Sequence, residues 1–320
     1  MKVSVIMPVY NASAVLPRSL ESLRRQRFRY FEVVFVDDGS TDGSPELLEA
    51  FAAEGLFPCR VLRAERNGGV AAARNRALEA AQGTFLAFLD ADDRMAPDLL
   101  EKAVAEAENT QADIVGWDWK VCSGEGGRVI CQPPYDTPLE ALQGLMGGTM
   151  RWNLWLFLVR RELAEREHLR FIPGANMGED MQWMIHAFCA ARKVARIPEP
   201  LYLYSPDEAS VSAVITPRRR EEVSRNIEEA LKAVQQGPYA PQLRGYVPWL
   251  KLYIKRPLLI SSDRTSYKAW YGWWPEANAF ATTNRALPFH TRFLQGAAAR
   301  RQWWLVKLYN ILVYKILREG

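Results

Sequence analysis

Phe31-Glu32-Val33-Val34-Phe35-Val36-Asp37-Asp38-Gly39-Ser40-Thr41-Asp42 decides how the first third of the chain is read. An apolar run from Glu32 to Val36 reads as a buried strand, and it empties into a cluster of turn-forming polar residues. Working outward, Lys2 to Met7 is a second apolar strand that Pro8 should stop. Ser13 to Gln26 carries Ala14, Val15, Leu16, Leu20 and Leu23 at helical spacing. Downstream come a helix over Ser44–Ala53, a strand over Arg60–Arg63, a helix over Val70–Ala81 opened by Gly68-Gly69, and a strand over Thr84–Leu89. A further helix should hold Pro97 in its first turn, where a missing N–H costs nothing. Strand and helix alternate four times within about 110 residues, which requires right-handed crossovers and predicts an α/β fold: a mainly parallel sheet with helices on both faces. Such sheets bind ligands beyond the carboxyl ends of their strands. Tyr10-Asn11, Asp37-Asp38 and Asp90 to Asp93 all fall there.

Beyond residue 110 the pattern predicts a strand over Asp113–Val121 pairing with Arg128–Cys131 across Gly124–Gly127. Helices follow over Thr137–Met146 and Gly178–Ala191, then two short strands, Val194–Ile197 and Leu201–Tyr204, about Pro198 and Pro200. Helix dominates after Thr216: Arg218–Gln236, a stretch around Trp249–Ile260, and Arg300–Leu317. The best domain cut lies near Ser205–Pro217. With 320 residues, 48% hydrophobic and 24% charged, the chain is an ordinary globular protein of one large domain plus an appendage, or two domains. Four scattered Cys without a C-x-x-C pair point to reduced thiols, not a disulfide framework or zinc site. The net charge of +4 conceals an asymmetry: residues 201–320 hold 18 Lys and Arg against 9 Asp and Glu. A basic, Trp-rich tail suits an anionic partner, although no nucleic-acid-binding module is recognisable. The amino terminus does not read as a signal peptide and no apolar run is long enough to span a bilayer, so a cytoplasmic protein is expected.

Four clusters carry chemistry. Asp90 and Asp92, one residue apart past an apolar strand, could share one hard cation whose remaining ligands are water and phosphate; Asp also suits helix-opening turns, and Asp93 could cap the helix before Pro97. Asp37-Asp38-Gly39-Ser40 could accept hydrogen bonds from a base or ribose, or could simply form a turn. Asn67-Gly68-Gly69 opens a helix whose N–H groups could face an anion, with Arg74 one turn in. Gly178-Glu179-Asp180 sets two acids in a helix's first turn, which suits the helix dipole and could supply a general base. His168, His186 and His290 read as structural. Trp152 and Trp155 read either as a sugar-stacking platform or as aromatic core.

In this order and spacing the segments Val3–Asn11, Phe31–Asp42, Asn67–Leu78 (NGGVAAARNRAL) and Phe88–Asp93 (FLDADD) resemble the family 2 glycosyltransferases of the GT-A fold. Trp155 through Asp180 looks like that family's acceptor-side segment. The resemblance covers roughly residues 1–205. It implies a catalytic domain over 1–210, with a nucleotide-sugar-binding half (1–110) and an acceptor half (111–210), followed by a helical, basic, Trp-rich region over 211–320. By the same resemblance Pro8 and Tyr10 would line the base pocket, Asp38 would bond the base, and Arg74 would contact the nucleotide. Asp90 would face the ribose, Asp92 would ligate Mn2+ or Mg2+, and Asp180 would be the catalytic base. The implied activity is inverting transfer of one sugar from a nucleotide donor, expected to be UDP-linked, to a glycan or lipid-linked acceptor. The Q-x-x-R-W pattern of processive synthases is absent, since Met181-Gln182-Trp183-Met184 follows Asp180. Trp155-Leu156-Phe157-Leu158 also lacks the Lys that many relatives carry. A sugar-nucleotide pyrophosphorylase would need a G-x-G-T-R-type loop where Pro8-Val9-Tyr10-Asn11 stands, and a non-catalytic binding protein would not need all of these carboxylates. For the tail, Lys307, Asn310, Tyr314 and Arg318 fall on one stripe of a helix with Lys315 beside it. Trp303, Trp304, Leu305, Leu308, Ile311, Leu312, Ile316 and Leu317 cover most of the rest. Residues 300–318 therefore predict either peripheral contact with the inner face of the cytoplasmic membrane or packing on protein.

Overall fold

Every residue of the run Phe31–Asp37 is buried, and Val3–Val9 is buried except at Pro8, so both strands are covered on each face. The computed structural model describes residues 1–123, 126–206, 216–260 and 263–318; for residue 123 and residues 314–318 only the backbone is described. Contacts divide the chain into two compact units, one of residues 1–141 and 152–238, the other of residues 142–151 and 239–320.

The first unit carries the alternation read from the sequence: β1 (Val3–Val9), α1 (Leu16–Arg24), β2 (Phe31–Asp37), α2 (Ser44–Ala53), β3 (Cys59–Arg63), α3 (Val70–Ala80), β4 (Phe85–Phe88), β5 (Arg94–Met95) and α4 (Leu99–Thr110). After it come β6 (Ile114–Ser123), β7 (Gly126–Ile130), α5 (Pro138–Gly147, which runs on into the second unit), β8 (Phe157–Arg160), α6 (Arg161–Arg166), α7 (Glu179–Ala190), β9 (Val194–Tyr204) and α8 (Pro217–Gln236). The described strands form one sheet in the order β3-β2-β1-β4-β8-β6-β9-β5, with β7 paired to β6. β3, β2, β1 and β4 are mutually parallel, as expected. β8 then enters antiparallel between β4 and β6, making the sheet mixed. β6 and β7 form the predicted antiparallel pair.

Several local expectations are corrected. Pro8 does not stop β1: it lies in register with Val36, beyond Ile6–Phe88 where the ladder to β4 has ended, so no N–H is missed there. Pro97 precedes α4, whose first residue is Leu99. The two strands about Pro198 and Pro200 are one strand, β9, whose register against β6 shifts on either side of Asp118; the irregularity absorbs the prolines without breaking the pairing. β5 and β8 are too short to show a period of their own. Trp155 is core, 4% exposed and stacked on Tyr202 at 4.4 Å, which removes the platform reading for this ring.

The second unit is helical: α9 (Ala240–Leu243), α10 (Val247–Lys255), α11 (Pro257–Ile260), α12 (Arg264–Gly272), α13 (Phe289–Ala299) and α14 (Trp303–Arg318). Lys255 is wholly buried, its Nζ donating to Trp273 O, Trp274 O and Asn278 Oδ1 and lying 4.3 Å from the centre of the Trp270 ring. Asn310 departs from the sequence reading. It is buried, donating to Leu259 O at 2.7 Å and to the Tyr267 hydroxyl, and so does not share a solvent stripe with Lys307. The side chains of Tyr314, Lys315, Ile316, Leu317 and Arg318 lie outside the described residues, as does most of the Ser205–Pro217 boundary.

Candidate active site

The site begins where β1 and β2 end. The loop after β1 is clipped to the loop after β2: Thr41 N–H donates to Asn11 Oδ1, Asn11 N–H to Ser40 Oγ, and Ala12 N–H to Ser44 Oγ. The Asp42 carboxylate accepts from Ser13 N–H and Ser44 N–H; against burial, which raises it, these bonds hold it far below the usual range. Tyr10 is left 49% exposed at the rim. Asp37, the first acid of the pair, faces Ser40 N–H and Arg63. Asp38 is buried, and its two oxygens accept Gly68 N–H at 3.0 Å and Gly69 N–H at 2.8 Å. Asp38 thus fixes the turn that starts α3. In that turn Gly69 has φ +87°, and a Cβ there would sit 2.2 Å from Asn176 Nδ2. Only glycine fits both the backbone and the contact.

Asn176 is the residue that the sequence reading missed. Its Oδ1 accepts Ala71 N–H, one of the unpaired donors at the start of α3. Asn226 on α8, itself buried, donates to Ala175 O and Met177 O on either side of the half-buried Asn176, both at 2.9 Å. No local signal marks Asn176: an asparagine in a Gly- and Pro-containing loop is unremarkable until the loop meets α3.

Arg74, one turn into α3 and 4% exposed, is the centre of the site. Its terminal nitrogens reach Asp180 Oδ1 at 2.7 Å, Glu179 Oε1 at 2.9 Å and Asp90 Oδ1 at 3.3 Å, and its guanidinium lies over the Phe171 ring. Burial alone would lower its pKa, but the three carboxylates reverse that and raise it. Asp180 is held from its other side by Leu154 N–H, which donates to Oδ2 at 3.2 Å. One guanidinium cannot balance three acids. Burial, with the charge of Asp180 beside it, pushes the Glu179 carboxyl up. Asp90 keeps a third of its side chain open, yet burial, Asp180 and Asp92 push it up to about 6 against the pull of Arg74.

The turn after β4 is pinned from beneath. Asp90 N–H donates to the Tyr202 hydroxyl, which in turn donates to Asp93 Oδ2, while Ser205 N–H donates to Asp93 Oδ1. Asp93 therefore caps no helix; it is a buried anchor for the end of β9, pushed up to about 8 chiefly by burial. Asp92 is left half-buried on the cleft side.

Pro8, Tyr10, Asp38, Arg74, Asp90, Asp92 and Asp180 all line one cleft of about 710 Å³, together with Asn11, Asn67, Gly69, Asn176 and Glu179. His168, His186 and His290 do not line it. Five carboxylates face it against one buried guanidinium. A dianionic phosphate ligand would be repelled from such a cleft unless a cation came with it. Among the described residues no three His, Cys, Asp or Glu side chains form a metal cage. The Asp90–Asp92 pair instead fits the few-carboxylate pattern in which substrate phosphate and water complete the shell.

A strand-end cleft of this kind, on a sheet whose first four strands are parallel and the next antiparallel, defines a GT-A type protein. Residues 4–178 match the family described as Glycosyl transferase family 2, and the chain belongs to it. It is 32% identical over 222 residues to EpsJ of Bacillus subtilis (strain 168), described as an uncharacterized glycosyltransferase; the match covers 66% of this chain and 63% of that protein. YibD of Escherichia coli (strain K12), also described as an uncharacterized glycosyltransferase, is 30% identical over 221 residues, with the same two coverages. The matches thus span just under two thirds of these relatives' length. Among solved structures, TarS 1–349 of S. aureus in complex with UDP-GlcNAc superposes with a TM-score of 0.71 at 21% identity, over 98% of this chain and 92% of that one. A mannosyltransferase from Pyrobaculum calidifontis in complex with GDP-Man and Mn2+ gives 0.57 at 21% identity, over 97% and 87%. At that identity the likeness shows the shared fold.

Proposed function

We propose that the chain transfers a single sugar, with inversion, from a nucleoside-diphosphate sugar to a hydroxyl of a glycan or lipid-linked acceptor, in the assembly of a cell-surface polysaccharide or glycolipid. The observation that carries the reading is the gathering of five carboxylates and Arg74 at the carboxyl ends of β1, β2 and β4, in a chain of this family. A UDP-sugar is the favoured donor: TarS is described with UDP-GlcNAc and with UDP. In this reading Pro8 and Tyr10 hold the base, Tyr10 against its ring, and Asp38 both bonds the base and fixes the Gly68-Gly69 turn. Asp90 faces the ribose. Arg74 lends positive charge to the donor cleft and keeps Asp90, Glu179 and Asp180 in fixed relation.

Asp92, with Asp90 beside it, would hold Mn2+ or Mg2+, which when bound offsets charge growing on the departing diphosphate. Asp180 takes the proton of the acceptor hydroxyl as it attacks the anomeric carbon from the face opposite the diphosphate, an effect typically worth about 10²–10⁴-fold. A single displacement inverts that carbon. The protein works in the cytoplasm, and residues 300–318 give it peripheral contact with the membrane that holds its acceptor.

The test is a panel of nucleotide sugars with Mn2+ or Mg2+, read as donor hydrolysis and as protection from thermal unfolding, since a ligand that binds only the folded state raises apparent stability. A UDP-sugar should give the largest shift. Asp92→Ala should abolish metal-dependent turnover and Asp90→Ala should weaken nucleotide binding. Near-parental turnover of Asp92→Ala in the presence of EDTA would overturn the metal assignment, and no response to any nucleotide sugar would overturn the function.

A further inference from the structure

α14 buries one member of its expected polar stripe and exposes part of its apolar surface. Its inward arc holds Val306, fully buried, Asn310 with its two hydrogen bonds, and Trp303 stacked on Tyr267. Its outward arc holds Trp304 (67% exposed), Leu308, Ile311 and Leu312, the last three each about half exposed. Their spacing of i, i+4, i+7 and i+8 puts them on one face. A polar residue has gone inside while four large apolar ones face out. α13 packs beside α14, with His290 stacked on Tyr309, and adds exposed Phe289 and Phe293. A notch of about 200 Å³ on α13 is lined by Phe289, Arg292, Phe293 and Arg300. Clustered exposed apolar side chains mark an interaction surface.

Charge decides the occupant. From residue 277 to 318 the sequence has seven Lys and Arg (Arg285, Arg292, Arg300, Arg301, Lys307, Lys315, Arg318) and no Asp or Glu. Arg300 and Lys307 are exposed, and Lys307 stands one helical turn from both Trp304 and Ile311; Arg301 is exposed too, but its guanidinium lies over the Tyr271 ring. A second copy docking here through a two-fold axis would set these cations against their own images. An anionic bilayer offers both complements: acyl chains for the apolar arc and headgroup phosphates for the cations. No helix among the described residues is long and apolar enough to cross a membrane, so α14 would lie along the surface.

We propose that α13 and α14 form a docking face for an anionic lipid bilayer, with Trp304, Leu308, Ile311 and Leu312 entering the headgroup layer and Arg292, Arg300 and Lys307 reaching lipid phosphates. This face is the membrane contact of the proposed transferase. It rests on that reading for its purpose, while the surface itself stands on burial and charge. Trp at headgroup depth and Lys or Arg reaching phosphate are the usual interfacial anchors.

The experiment is co-sedimentation of the full-length protein with phosphatidylcholine vesicles, with and without about 30% phosphatidylglycerol. The parent should pellet with the anionic vesicles at about 0.05 M salt and much less at about 0.5 M, where screening shortens the reach of its cations. Trp304→Ser combined with Ile311→Ser should lower binding by about tenfold or more while the thermal melt is unchanged, since both side chains are exposed. Equal binding to neutral and anionic vesicles, parental binding by the double variant, or a parental dimer that the double variant dissociates would each overturn the proposal. Donor turnover without vesicles is read on the same samples. Vesicle binding without turnover leaves the docking face standing and removes the transferase reading; turnover without vesicle binding does the reverse.

Discussion

Arg74 shows how much of this site depends on one side chain. Its guanidinium is the only cation within reach of Asp90, Glu179 and Asp180 that the described ion pairs show, and a buried pair broken on one side leaves uncompensated charge, at a typical cost of about 3–5 kcal/mol. The two neighbouring acids are not equivalent. Asp180 is aimed by two donors, Arg74 and Leu154 N–H, whereas burial and the neighbouring charge favour a proton on Glu179. A group that holds its proton is a poor base. Asp180→Asn should therefore leave donor binding intact and lower turnover by about 10²-fold or more, with Glu179→Gln milder; the opposite ranking in steady-state kinetics would move the base to Glu179. Asp90 gives a prediction with a definite sign. Burial pushes its carboxyl up to about 6 in the folded protein, against about 3.9 in an unfolded chain. Between those values the native state keeps a proton that the unfolded chain has lost, so this group subtracts stability as pH rises and the penalty persists above about 6. Thermal melts of the ligand-free protein should show Asp90→Asn gaining on the parent between about pH 4.5 and pH 7. A difference independent of pH would show that Asp90 titrates normally.

At the scale of elements, α3 joins the two halves of the cleft. Its first turn is tied to Asp38 through the Gly68 and Gly69 N–H groups, and to the loop before α7 through Asn176. Asn75 exchanges two hydrogen bonds with the backbone of Phe171 at the start of that loop. α8 backs the loop through Asn226, whose Nδ2 holds two carbonyls. Asn226→Ala leaves those carbonyls without their donor and should cost about 1–3 kcal/mol. Because the loop carries Asn176 into the cleft, donor affinity should fall with it. If the variant melts and titrates like the parent, α8 is not the support. Gly69→Ala should do worse than Gly55→Ala. Both glycines have positive φ, but a Cβ at Gly55 meets nothing within 4 Å, while at Gly69 it meets the Asn176 amide. The comparison of melts and donor titrations separates backbone strain, about 1–3 kcal/mol in either case, from loss of the loop contact.

At the scale of the whole molecule, the second unit is not a tail appended to the first. Residues 142–151 belong to it, and Leu142, Leu145, Met146 and Met150 in that segment are all 1% exposed or less. Inside this unit the segment is tied to later chain by the Arg151–Tyr253 and Asn284–Gly147 hydrogen bonds. Ending the chain after Pro238 should therefore give aggregating or markedly destabilised protein, and replacing residues 142–151 with a short polar linker in the same truncation should restore solubility. A soluble, cooperative melt of the simple truncation would show that the segment needs no later partner.

The sequence by itself determined β1 to β4 and the helices that alternate with them, the parallel direction of those four strands, the β6–β7 pair and the position of the polar clusters at strand ends. These follow from short-range rules: periodicity of apolar residues, turn-forming glycines and acids, and the handedness of crossovers. What only the tertiary structure decided lies between residues far apart in the chain. Arg74 and Asp180 are separated by 106 positions, Ala71 and Asn176 by 105, and nothing local in either segment encodes the meeting. The entry of β8 between β4 and β6 is likewise non-local, because a strand of four residues, three of them apolar, can pair on either side until neighbouring strands fix the register. The orientation of α14 was equally out of reach. A helix apolar around most of its circumference does not state which arc finds a partner. Leu259 O and the Tyr267 hydroxyl, waiting for a donor, drew Asn310 inward and left Trp304, Leu308, Ile311 and Leu312 facing out.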